Sequence, residues 1–117
     1  GIRSLTPTAG LYRPEYWGNA SQRNASYHNG ACWPWLLGVY ARAYLSVFSR
    51  SGIAFIRRRL YAYEEEMNRH CIGTVAEVYD ANPPFRGHGA QSLSINQAEI
   101  IRALTMATEA EQGVKFS

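Results

Sequence analysis

Two apolar stripes with the period of a helix constrain the fold of this chain more than any other feature. One stripe begins at Trp33 and the other at Ile53, and in both the apolar residues recur at steps of three and four. This spacing places them on one face of a helix, so we predict helices over about 33–50 and 53–72. Because Gly52 and a few neighbours separate the stripes, we expect an antiparallel helical hairpin.

The rest of the sequence predicts a third helix and two long loops. Residues 1–32 and 73–92 have no helical period and are punctuated by Gly, Pro and Asn, so we interpret both segments as loops. A helix over about 94–108 follows, with Ser94 and Gln97 spaced as a capping box. We therefore predict an all-α fold in which the helices form the scaffold and the loops carry the site.

Composition excludes some classes of protein. The chain of 117 residues is 46% hydrophobic and 18% charged, which argues against disorder. The net charge is +3, but the basic triplet at 57–59 is followed by three glutamates at 64–66, so we expect no nucleic-acid partner. The triplet is the only feature of the sequence that would favour a basic helical nucleic-acid binder. No apolar run approaches the roughly 20 residues of a membrane span, so we expect no membrane partner.

The histidines and cysteines do not indicate a metal site or a cofactor. His28, His70 and His88 share no ligand spacing, and Cys32 and Cys71 lack the paired spacing of a zinc site. Aromatic residues make up 13% of the chain. Flat rings are common in sugar-binding clefts and also in cores, so this excess favours neither interpretation.

Three motifs together resemble the C-terminal region of the glycogen debranching enzyme family. They are GIRSL at 1–5, YHNGACWPWLLG at 27–38, and GTVAEVYDANPP at 73–84 continuing to GAQSLS at 89–94. Their order over residues 1 to about 104 makes the resemblance specific. It implies a toroid of six helical hairpins in a cytoplasmic enzyme, with amylo-α-1,6-glucosidase activity on a branched α-glucan. Three helices are too few for that toroid, so 1–117 is interpreted as a C-terminal fragment.

The resemblance also assigns the catalytic residue. It implies that Glu77 is the general base of an inverting glycosidase, and that the acid lies upstream of this chain. The alternative is that Glu77 forms a salt bridge with an arginine such as Arg86. Asp80 is included among the substrate-binding residues; it could be the second carboxylate, but a loop-stabilising role as acceptor for backbone amides is favoured.

The remaining candidate residues are sugar contacts. Tyr27, His28, Trp33 and Trp35 come from the second motif, and Gln91 comes from the third. At least one of the two tryptophans is expected to be a core anchor, because residues two apart at a helix start point in different directions.

Two functional interpretations remain open. In the first, the chain is part of a debranching glycosidase and is inactive alone, because the proton donor is missing. In the second, it is a non-catalytic carbohydrate-binding or interaction module derived from that family. In either case, apolar helix faces left without partners predict self-association.

Overall fold

The computed structural model describes residues 1–69 and 72–117, and this part of the chain is mostly helical. The helices are α1 (Ala20–His28), α2 (Leu36–Phe48), α3 (Ile53–Glu66) and α4 (Ser94–Glu111). The strands are β1 (Ile2–Arg3), β2 (Cys32–Trp33), β3 (Val78–Tyr79) and β4 (Gly87–His88).

The core lies where α4 packs against α2 and α3. A 3-10 turn over Ser49–Gly52 joins α2 to α3. Leu45 of α2 and Ile56 of α3 are fully buried, and each stabilises the fold by roughly 2 kcal/mol. Ala103 and Ala107 of α4 are also fully buried, and their small side chains let α4 approach α2 and α3 closely.

The helix limits differ from the predicted ones at several ends. Helix α2 begins at Leu36 instead of 33, because Trp33 belongs to β2 and residues 34–35 form a turn. Helix α3 ends at Glu66 and residues 67–69 form turns, so this helix is shorter than predicted. The end of its apolar stripe at 70–71, which includes His70 and Cys71, lies outside the described residues.

Helix α4 extends three residues beyond the predicted end at 108, to Glu111. The predicted capping box at its start is wrong, because Leu93 is the N-cap residue and no side chain caps the helix. The amides of Asn96 and Gln97 instead donate to the carbonyl oxygen of Leu93, at 2.9 and 3.3 Å.

The prediction that residues 1–32 form only a loop is wrong. They contain α1, which begins with a capping box at Asn19. The Asn19 side chain accepts from the Gln22 amide at 3.0 Å, and the Gln22 side chain accepts from the Asn19 amide at 2.9 Å. Helix α1 buries only Ser26 fully, so it has no apolar stripe to reveal it in the sequence.

The purely all-α prediction also needs correction, because a small antiparallel sheet lies beside the helices. Its strand order is β1-β2-β3-β4. Cys32 pairs with Tyr79, and Val78 pairs with His88. Strands of two residues are too short to show a period of two in the sequence. The sheet brings the end of β2 next to the segment that carries Glu77.

Several apolar side chains remain on the helix surfaces. Val47 and Phe48 of α2 and Ile101 of α4 are 73%, 48% and 62% exposed. Self-association through these faces stays a prediction. None of the helices within 1–69 and 72–117 combines the length and the apolar character needed to cross a bilayer.

Candidate functional site around Glu77

The backbone of the loop before α4 holds Glu77 from one side. The Glu77 amide donates to the carbonyl oxygen of Ala90 at 2.9 Å, and the Ala90 amide donates to Glu77 Oε2 at 2.8 Å. The residue between β4 and Ala90 is Gly89, with φ +76°. A Cβ atom at Gly89 would lie 2.5 Å from Glu77 Oε2, so both the dihedral angle and the close approach require glycine here.

Tyr27, near the end of α1, holds the other carboxylate oxygen. Its hydroxyl donates to Glu77 Oε1 at 2.5 Å. Burial and this donated bond raise the pKa of Tyr27 to about 12, so the phenol is protonated at neutral pH. A hydrogen bond to an ionised acceptor is stronger than one between neutral groups. Each oxygen of Glu77 therefore has a fixed donor, and a carboxylate oxygen can accept one further bond, for example from water.

Asn96 fixes the backbone under Glu77. Its side chain is fully buried, and Nδ2 donates to the carbonyl oxygens of Ala76 at 3.1 Å and Glu77 at 2.9 Å. Asn96 Oδ1 accepts from the Trp35 amide at 3.2 Å. One side chain thus joins the start of α4, the Glu77 segment and the start of α2. Asn96 is not predicted from the sequence, because its only signal is a polar residue in the first turn of an amphipathic helix.

An aromatic cluster surrounds the Tyr27 ring. The ring centroid lies 4.4 Å from that of Trp33 with an edge-to-face angle of 82°, 5.1 Å from that of His28 and 6.1 Å from that of Tyr16. Trp33 Nε1 donates to the Tyr27 carbonyl oxygen at 3.1 Å. The Tyr16 ring also contacts His88 at 5.5 Å. Three of the predicted sugar contacts, Tyr27, His28 and Trp33, therefore lie together, and Tyr27 among them binds the carboxylate of Glu77.

The other two predicted sugar contacts are placed differently. Trp35 is half-buried, and its backbone amide, as described above, is bonded to Asn96. Gln91 is exposed, and its carbonyl oxygen accepts from Thr74 Oγ1 at 3.1 Å. Neither side chain joins the ring contacts around Tyr27 in the part of the chain that the structure describes.

Asp80 directly follows β3, at the opposite end of the strand from Glu77, and is largely buried. Asp80 Oδ1 accepts from the Tyr16 amide at 2.8 Å, and His88 Nε2 lies 3.0 Å from the same oxygen without a hydrogen-bonding angle. The Asp80 amide donates to the carbonyl oxygen of Arg86 at 2.9 Å. Glu77 forms no ion pair with Arg86 or any other residue within the described ranges; its carboxylate partners are Tyr27 and the Ala90 amide.

Metal-ligating residues do not gather anywhere within residues 1–69 and 72–117. This part of the chain has no group of three or more His, Cys, Asp or Glu side chains arranged to hold an ion. Cys32 is a buried free thiol, and burial raises its pKa. Cys71 lies outside the described residues, as does His70.

Comparison with known proteins adds one finding. A family model described as amylo-alpha-1,6-glucosidase matches residues 1–102, a range that includes Glu77 and both groups that bind its carboxylate. Neither the search of curated proteins nor the search of solved structures gives a significant match. Because the matched range covers most of the 117 residues, this chain belongs to the amylo-alpha-1,6-glucosidase family.

Proposed function

We propose that this chain is part of a glycoside hydrolase that removes α-1,6-linked glucosyl residues from a branched α-glucan, with Glu77 as the general base. The observation that carries the proposal is the fixed carboxylate of Glu77. The Tyr27 hydroxyl and the Ala90 amide each bind one of its oxygens. Membership of the amylo-alpha-1,6-glucosidase family supports the reaction type.

The proposed reaction is a single displacement with inversion. A water molecule attacks the anomeric carbon while Glu77 removes its proton, and a carboxylic acid on the other side protonates the departing oxygen. Inverting enzymes separate the two carboxyl groups by about 6.5–9.5 Å to leave room for that water. Donors on both oxygens fix the orientation of the Glu77 carboxylate, and a general base has to be positioned in this way.

We propose that the acid comes from another part of a longer protein. Asp80 is the nearest acidic residue in sequence, but it accepts from the Tyr16 amide and lies beside His88. In the proposed full domain, further hairpins of a six-hairpin toroid complete the cleft and supply the acid. We therefore expect the 117 residues alone to release negligible glucose.

The proposed sugar contacts are the residues predicted from the second and third motifs. Tyr27 binds Glu77, and the rings of His28 and Trp33 pack against that of Tyr27. We propose that these three residues form one wall of the cleft. Trp35 and Gln91 remain proposed contacts further from the carboxylate. Each ring can stack on the apolar C–H face of a pyranose while polar atoms bind its hydroxyl groups.

Glucose release from a branched limit dextrin tests the proposal. It is measured on this chain and on a longer family protein that contains it, each with Glu77→Gln. In the longer protein the substitution should lower turnover roughly 100- to 10,000-fold, the usual contribution of a positioned base, and leave dextrin binding intact. Glu64→Gln, at an exposed carboxylate of α3, is the matched control and should keep full turnover.

Two other outcomes would decide against this assignment. Turnover retained by Glu77→Gln would show that the base is another residue. No glucose release from either protein, together with dextrin binding, would favour the alternative function of a non-catalytic carbohydrate-binding module.

The proposal extends to the exposed apolar faces of α2 and α4. We infer that other hairpins of the longer protein cover them, and that in the isolated chain they lead to self-association. Sedimentation of the isolated chain as a monomer at high concentration would contradict the self-association.

A further inference from the structure

Trp17 is a large apolar side chain that the site around Glu77 does not use. It is 67% exposed and follows Tyr16, whose amide is bonded to Asp80. Next to it lies an open cavity of about 380 Å³. The aromatic and polar residues that line this cavity include Glu15, Trp17, Asp80, Asn82, Arg86 and His88.

The lining of this cavity combines a flat ring with polar groups of both charges. The exposed indole of Trp17 offers a face on which the C–H face of a sugar can stack. Glu15 and Asn82 provide oxygen atoms and Arg86 provides N–H donors, which are the partners that hydroxyl groups need. The carboxylates of Glu15 and Asp80 outnumber the guanidinium of Arg86, so the lining disfavours an anion and suits a neutral ligand that offers hydroxyl donors.

We propose that the Trp17 cavity is a binding subsite for a glucose residue of the α-glucan, adjacent to the residue that is cleaved at Glu77. This inference rests on the proposed function for its substrate class. A chain of ring contacts connects the cavity with the Glu77 site, since His88 lines the cavity and its ring lies 5.5 Å from that of Tyr16. The Tyr16 ring in turn lies 6.1 Å from that of Tyr27, whose hydroxyl binds Glu77.

Titration of the complete 117-residue chain with maltotriose tests the subsite. Binding is followed by calorimetry and by NMR shifts of the backbone amides at 15–18 and 80–88. Trp17→Ala should weaken binding roughly tenfold, because it removes the stacking surface, whereas Trp17→Phe should lose less because a flat ring remains. Tyr61→Ala is the matched control: Tyr61 is 65% exposed on α3 and should not affect binding.

Three results would overturn the subsite. They are unchanged maltotriose binding by Trp17→Ala, an equal loss in Tyr61→Ala, and no binding of maltotriose by the wild-type chain at millimolar concentration. Displacement of maltotriose by inorganic phosphate would assign the cavity to an anion, which also contradicts the proposal.

Failure of the proposed function gives a different pattern. If Glu77 is not the base, turnover survives in Glu77→Gln of the longer protein while Trp17→Ala still weakens maltotriose binding. If only the subsite is wrong, Glu77→Gln abolishes turnover while Trp17→Ala binds like the wild type.

Discussion

The helical half of the molecule and the Glu77 carboxylate in the other half are held in place by different interactions. The helical half, formed by α2, α3 and α4, buries large aliphatic side chains such as Leu45 and Ile56. Around Glu77 the connections are single hydrogen bonds from Tyr27 and from the Ala90 amide. Apolar packing depends on the total area buried, whereas hydrogen bonds depend on particular atoms. Substitutions in the helical half should therefore act through the buried area that they remove. Substitutions around Glu77 should act through the individual hydrogen bonds that they remove.

Asn96 is one link between the halves, beside the apolar core to which residues of both halves belong. It lies in α4, yet its amide nitrogen binds the carbonyl oxygens of Ala76 and Glu77. A fully buried polar side chain with its hydrogen bonds satisfied specifies one arrangement of its neighbours. The position of Glu77 thus depends on the helical half through this residue.

The largest loss of stability is expected in the helical half. Leu45→Ala removes a fully buried side chain and should lower the free energy of unfolding by about 2–5 kcal/mol, measured by urea denaturation. Val47→Ala, on the same helix at a residue that is 73% exposed, should change it by no more than about 0.5 kcal/mol. Similar losses of stability in both variants would contradict the assignment of Leu45 to the core and Val47 to the surface of α2.

Removing the Asn96 side chain should lower the free energy of unfolding somewhat less than Leu45→Ala does. Asn96→Ala leaves two carbonyl oxygens and the Trp35 amide without their partner, so the free energy of unfolding should fall by about 2–3 kcal/mol. The control is Asn24→Ala at an exposed position of α1, where no comparable loss is expected. An equal effect of the two substitutions would mean that Asn96 does not join the halves.

A smaller change in the free energy of unfolding is expected from placing a Cβ atom against the Glu77 carboxylate. Gly89→Ala and Gly73→Ala both place a side chain at positive φ, +76° and +74°, which costs about 1–3 kcal/mol. Only the Cβ atom at 89 meets Glu77; at 73 it meets nothing within 4 Å. Gly89→Ala should therefore destabilise the chain by about 1 kcal/mol more, measured by denaturation. Equal losses would show that Glu77 moves aside freely.

The smallest effect on stability is expected from Tyr27→Phe, and this effect should depend on pH. Tyr27→Phe removes one hydrogen bond and should lower the free energy of unfolding by about 1 kcal/mol at neutral pH. The pKa of Tyr27 is raised from 10.0 to about 12 in the folded chain, so between these values the unfolded chain loses a proton that the folded chain keeps. The advantage of the wild type should thus be complete below pH 10 and disappear as the pH rises through 12. An advantage that persists beyond pH 12 would contradict the bond to Glu77.

The sequence predicted the helical half better than the other half. The apolar stripes located α2, α3 and α4, because burial of one helix face leaves a period in the sequence. Helix α1 was missed, since Asn19 and Gln22 stabilise its start and no apolar stripe marks it. The strands were missed because two residues are too few for any period.

The site could be predicted from the sequence only in part. Glu77 was proposed through the resemblance of its motif to a family, and no periodicity singles it out. Backbone donors such as the Ala90 amide have no signature in the sequence, because every residue except proline carries one. The bond between Tyr27 and Glu77 joins residues 50 positions apart, so it follows only from the tertiary structure.

The most direct test of the central claim is rescue by azide of Glu77→Ala in a longer family protein that contains these residues. Azide is already an anion, so it can attack the anomeric carbon without a base while the acid still protonates the departing oxygen. We predict that Glu77→Ala releases almost no glucose from branched dextrin, and that azide restores turnover with β-glucosyl azide as the product. Glucose release by Glu77→Ala at the wild-type rate without azide would contradict the assignment of Glu77 as the base.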